Sequence, residues 1–137
     1  MKTIDTIQIG DSASFTKTVT ESDIALYAGI SGDFNPAHID AESAKEGMFG
    51  QRIAHGMLSA GFISNVLGNQ LPGPGTIYMG QELRFVKPVF IGDTVTATVT
   101  VKEKIVEKNR LKLDTVVTNQ RGEAVITGAA TVMPPRA

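Results

Sequence analysis

The 137 residues carry a formal net charge of −1, with 42% hydrophobic and 20% charged side chains. That balance predicts a folded globular domain with no overall pull toward nucleic acid or an anionic membrane surface. The absence of cysteine excludes disulfides, thiolate metal sites and a cysteine nucleophile, and it fits a reducing compartment.

The N-terminal segment lacks the apolar stretch of a signal peptide, and no run approaches the roughly 18 apolar residues of a membrane span, so a soluble, cytoplasmic, single-domain protein over residues 1–137 is expected. A first strand is predicted near Ala13 to Val19. Thr20 then caps a helix whose first turn carries Glu21 and Asp23, where acidic groups meet the positive end of the helix dipole. Ile24, Tyr27, Ala28 and Ser31 form its packing stripe, and Gly32 can end it. Pro36 biases Asn35 away from helical geometry, so residues 31–38 should fold back as a compact loop before a second helical piece, Ala41 to Glu46, capped by Asp40.

The segment Gly56 to Leu67 has apolar or small residues on nearly every side and is expected to be a helix enclosed by protein. Its small residues, Ser59, Ala60, Gly61 and Ser64, would let another backbone come close. After the Pro/Gly loop at 71–75 the pattern changes to period two. Val95, Ala97, Val99 and Val101 share one face of a strand, Leu111, Leu113, Thr115 and Val117 repeat the alternation, and further strands are expected at Thr76 to Lys87 and Ala124 to Val132. A buried helix followed by a long antiparallel meander packs most economically as an α+β wrap, with the sheet curled around the helix. A free face or edge of such a sheet could pair with a second copy, and a homodimer is expected.

The residues suited to chemistry concentrate in Ser31-Gly-Asp-Phe-Asn-Pro-Ala-His38, where a carboxylate and an imidazole stand five residues apart across a Pro-containing turn. Asp33 and His38 are the candidate acid/base pair. His55, the only other histidine, is open to a structural or a supporting role. Gly56 and Met57 begin the enclosed helix, so their N–H groups lack partners within it and could receive an oxyanion, although Gly56 could equally just ease a turn. Asn35 could form a local Asx turn or hold a water, and Ser64 could either back-bond within its helix or reach the acid/base pair. Met57, Phe62, Leu67 and Val132 are candidates for an apolar pocket as well as for plain core. Two histidines without helical i, i+4 spacing give poor grounds for a metal. The basic residues Lys87, Lys102, Lys104, Lys108, Arg110 and Lys112 form either a solvated face or a hold for phosphates.

Three stretches resemble one family, the MaoC-like (R)-specific enoyl-CoA hydratases of the hot-dog fold. Gly32-Asp-Phe-Asn-Pro-Ala-His38 is similar to the family's hydratase motif, Arg52-Ile-Ala-His-Gly-Met57 to its second signature, and Gly80 to Asp93 to the strand and turn that follow its Pro/Gly loop. The resemblance covers essentially the whole chain. It implies a single hot-dog domain in which an antiparallel sheet wraps a central helix. It also implies an acyl-CoA thioester substrate, no metal or redox cofactor, and hydration of trans-2-enoyl-CoA by Asp33 and His38 with Gly56 as the oxyanion donor. The serine matching Ser64 would bond the catalytic carboxylate. A hot-dog acyl-CoA thioesterase and a non-catalytic acyl-CoA-binding module are the competing readings, since fold alone separates none of them.

Overall fold

A computed structural model describes residues 2–137. Helix α1, Glu21–Ser31, starts where the local chemistry dictates: the Thr20 hydroxyl accepts from the Asp23 N–H at 3.1 Å, and the Asp23 carboxylate accepts from the Thr20 N–H at 2.9 Å. This reciprocal capping box satisfies two donors that the helix cannot. Gly32 ends it in the left-handed region at φ 78°, its N–H donating to Ala28. A one-turn helix, α2, Pro36–Ile39, follows where a loop was expected. Pro36 starts it because its missing N–H is no loss in a first turn. Helix α3, Ala41–Lys45, is capped by Asp40 as anticipated.

The strands are β1 Ser12–Thr18, β2 Ile77–Phe85, β3 Thr94–Ile105, β4 Arg110–Thr118 and β5 Ala124–Met133. They form one antiparallel sheet in the order β1-β3-β4-β5-β2. The expected succession is therefore a meander only from β3 to β5. Strand β2 crosses to the far edge and pairs with β5, while the chain after it returns past Phe90, which bridges Ile53. A bulge at Met79 bends β2 near its start.

Helix α4, Gly56–Asn69, lies in the concavity of the sheet and touches β1, β2, β3 and β4. Its buried residues Leu58, Ile63, Val66 and Leu67 meet Val95, Val99, Leu111, Leu113, Ile126 and Val132 in one core. Each such side chain, once removed from water, contributes about 1.5–3 kcal/mol. The α+β wrap around a central helix is thus the observed architecture.

Gly128 shows how tightly β2 is held against β5. A Cβ placed there would stand 1.9 Å from the Glu82 carbonyl oxygen and 2.9 Å from its carbon, both backbone atoms that cannot swing aside. Gly128→Ala is expected to lower the unfolding free energy by about 1–3 kcal/mol or more, seen as a lower urea midpoint. An unchanged midpoint would mean that the two strands pair more loosely.

Candidate active site

The acid/base loop is built by short side chains that satisfy the main chain locally. The Ser31 hydroxyl donates to the Tyr27 carbonyl at 2.7 Å and accepts from the Asp33 N–H at 3.1 Å. The Asp33 carboxylate in turn accepts from the Asn35 N–H at 3.2 Å, and the Asn35 side chain accepts from the Ala37 N–H at 3.0 Å. Asn35 is thereby the cap of α2, the local-turn role open to it in the sequence. Through this chain of turns Asp33 stays exposed while His38, on α2, turns partly inward.

Residues 52–55 then clamp that loop from the other side. The Ile53 N–H donates to the Ala37 carbonyl at 3.1 Å, and the His38 Nδ1–H donates to the Ile53 carbonyl at 2.7 Å. Arg52 donates from Nε to the His38 carbonyl at 2.7 Å and from Nη1 to Glu21 at 2.6 Å, tying α2 to α1. The His55 Nε2–H donates to the Asp33 carbonyl at 2.9 Å. Because a carbonyl only accepts, these bonds place a proton on Nδ1 of His38 and on Nε2 of His55. Any proton His38 exchanges must then pass through its Nε2. The two rings stack with centroids 3.9 Å apart and planes 30° off parallel, and Tyr27 lies 4.7 Å from His55 on another side.

Helix α4 opens directly after His55, which supplies no side-chain cap. Neither the Gly56 nor the Met57 N–H has a backbone acceptor among the described residues. The positive end of a 14-residue helix therefore faces the same region as the acid/base loop. The absence of a side chain at Gly56 has a second cause as well. A Cβ there would lie 2.5 Å from Cε1 of Phe85, whose ring covers the helix start.

Asp33, His38, His55, Gly56 and Met57 all line one cleft of about 550 Å³. Met57, expected as a pocket residue, lines it, and the rest of its apolar walls come from residues that sequence reasoning did not single out, among them Met48, Phe49, Phe85, Val86 and Ile126. Of the basic residues considered for phosphates, Lys87 alone lines the cleft. It is paired with Glu123 at 2.5 Å. Hydrogen bonds from Lys87, then Asn119 and Arg121, hold the Glu123 carboxyl down at about 2 against an ordinary 4.5, so this pair stays charged well into acid. Elsewhere Lys102 pairs with Asp114 and Lys104 donates to the Ile7 carbonyl.

Other expected site residues lie elsewhere. Ser64 is exposed on α4 and has no side-chain hydrogen bond among the described residues, so it does not steer Asp33 within this chain. The serine buried beside the cleft is Ser59, at 0% exposure. Leu67 and Val132, at 1% and 0%, are core and do not line the cleft. Phe62 packs edge-on against Phe15 at 5.7 Å and borders a separate groove with Leu26 and Ile30. Arg52 was legible only as part of a motif, because a link to Glu21 31 positions away leaves no local signal.

Asp33, His38 and His55 each have a potential ligand atom within 4.8 Å of the others'. Stacked rings, however, send their in-plane lone pairs along near-parallel planes, whereas zinc ligation needs nitrogens converging on one point at about 2.0–2.1 Å. The arrangement suits a proton-handling network.

The family model described as MaoC like domain matches residues 6–123. The chain is 57% identical to an (R)-specific enoyl-CoA hydratase of Rhodospirillum rubrum over 94% of this chain and 89% of that one. Among solved structures it resembles the unliganded R-hydratase PhaJ1 of Pseudomonas aeruginosa, with a TM-score of 0.93 and 44% identity over 98% of this chain and 86% of that one. It also resembles an (R)-hydratase of A. caviae involved in PHA biosynthesis, with a TM-score of 0.91 and 42% identity over 94% and 98% of the two chains.

The Gly56–Phe85 contact gives a separable test. Gly56→Ala is expected to cost about 1–3 kcal/mol in urea unfolding, and most of that cost should disappear in a Phe85→Ala background. Additive losses would mean that the ring is not what excludes a Cβ.

Proposed function

The chain belongs to the MaoC-like family, and from that membership we propose that it is an (R)-specific enoyl-CoA hydratase, a hydro-lyase that adds water to trans-2-enoyl-CoA and reverses the reaction. The observation that carries this reading is the joint opening of Asp33, His38 and the unpartnered start of α4 onto one largely apolar cleft. Hydration needs three things there: a base for water, an acid for Cα, and a donor for charge on the thioester oxygen.

In the proposed step the Asp33 carboxylate takes a proton from water as its oxygen bonds to Cβ. The π electrons move to give an enolate on the thioester, which the Gly56 N–H stabilises. The proton that Asp33 took passes to Nε2 of His38, which delivers it to Cα, so the oxygen of water ends on Cβ, its proton on Cα, and both side chains return to their starting state. The reverse sequence expels water. With Nδ1 of His38 committed to the Ile53 carbonyl, one nitrogen serves both directions. The two groups act as a coupled unit. The apolar lining, including Met57, suits an acyl chain.

The described residues contain no helix long and apolar enough to cross a membrane, and a cytoplasmic location suits a chain without cysteine. A homodimer is the proposed assembly. Strand β2 leaves one edge unpaired and exposes Ile77, Tyr78 and Met79 at 54%, 40% and 48%, an association-prone combination unless a second copy covers it.

Purified protein should consume the enoyl absorbance of crotonyl-CoA without releasing thiol, and Asp33→Asn or His38→Gln should each slow it by about a hundredfold or more. Thiol release without hydration would replace this reading with a thioesterase. Light scattering should give twice the 14.6 kDa chain mass, and Met79→Lys should shift the population toward monomer. A wild-type monomer at assay concentration would refute the assembly.

A further inference from the structure

Among the described residues, only two buried side-chain polar atoms have no hydrogen-bond partner: Nδ1 of His55 and Oγ of Ser59. Both residues border the cleft, and they stand four positions apart across the first turn of α4. Native interiors leave few such atoms unpaired, because each carries an uncompensated desolvation penalty. Their chemistry is complementary. His55 spends its Nε2 proton on the Asp33 carbonyl, which leaves Nδ1 able only to accept. The Ser59 hydroxyl has a proton to give and is exposed by 0%.

We propose that Ser59 and His55 form a positioning relay, in which the Ser59 hydroxyl reaches Nδ1 of His55 through one trapped water that donates to that nitrogen. Acceptance at Nδ1 keeps the His55 proton on Nε2, and that proton holds the Asp33 main chain opposite His38. The relay also fixes the plane of the His55 ring, on which His38 stacks at 3.9 Å. Neither residue touches the reacting atoms. Both set the relative placement of those that do, a contribution that rests on the hydratase reading. Without Ser59, His55 can rotate or exchange its proton between nitrogens, and the Asp33 carbonyl loses its tie.

The test combines imidazole ¹⁵N NMR with steady-state kinetics on full-length protein. In the wild type the His55 Nδ1 resonance should sit away from the position of a free lone pair, and in Ser59→Ala it should move to that position. The same variant should lose about 10-fold to 10²-fold in kcat. Its KM should hold within about twofold, as expected when placement of the reacting groups fails and substrate binding does not. Ser59→Thr, which keeps the hydroxyl, should recover most of the rate. In a His55→Phe background Ser59→Ala should cost nothing further. An unmoved Nδ1 resonance in Ser59→Ala, or additive losses in the double variant, would overturn the relay. If wild-type protein fails to hydrate crotonyl-CoA, the hydratase reading falls, while the NMR result still decides whether Ser59 and His55 are joined.

Discussion

The hydrogen bond from His55 Nε2 to the Asp33 carbonyl is the contact on which the rest of the site depends. Asp33 is exposed and lies in a turn held by side chains of its own neighbourhood, so nothing in residues 31–38 alone fixes its position against the helix start. His55 supplies that reference because it is 2% exposed and is the residue from which α4 departs. One imidazole therefore ties the candidate acid/base loop to the helix that packs against the sheet. Arg52 and Ile53 repeat the tie at His38, so both proposed acid/base side chains are referenced to the same four-residue segment.

That segment can act as a reference because the core holds α4 still. The helix packs one face against four strands of the sheet, and its buried side chains interlock with alternating residues of β3, β4 and β5. Close-packed interiors resist displacement, so the first turn of α4 keeps its place relative to the cleft. Glycine appears at two close approaches for this reason. Gly56 makes room for the Phe85 ring, and Gly128 makes room for the Glu82 carbonyl. The first admits a cleft wall, and the second seats the strand that carries that wall.

Much of the architecture was legible because its causes are local. The Thr20 capping box, the Asp40 cap and the strict alternation from Thr94 to Val101 each draw on residues within a few positions of one another. Asp33, His38 and Gly56 could be named for the same reason, as motif residues flanking a turn or opening a helix. Less legible were the features set by long-range geometry. Strand β2 pairs with β5 rather than β3, and α2 replaces a loop at His38. Leu67 and Val132 joined the core, while Phe85 and Val86 took the cleft wall.

The serines of α4 mark the boundary between the two kinds of information. By itself the sequence determined that residues 56–67 form a helix, that an Asp and a His flank a Pro-containing turn, and that alternating strands follow. The expected enclosure of that helix on every side is corrected by the exposure of Gly56, Met57, Gly61 and Ser64. The sequence could not determine how α4 is rotated, because a helix with small or apolar residues on nearly every side has no face marked for water. Only the tertiary structure decided that Ser59 is buried beside His55 and that Ser64 is exposed. The rotation is set by the fit of Leu58, Ile63, Val66 and Leu67 into a sheet whose strands lie tens of residues away, and that fit exists only once the sheet has closed around the helix.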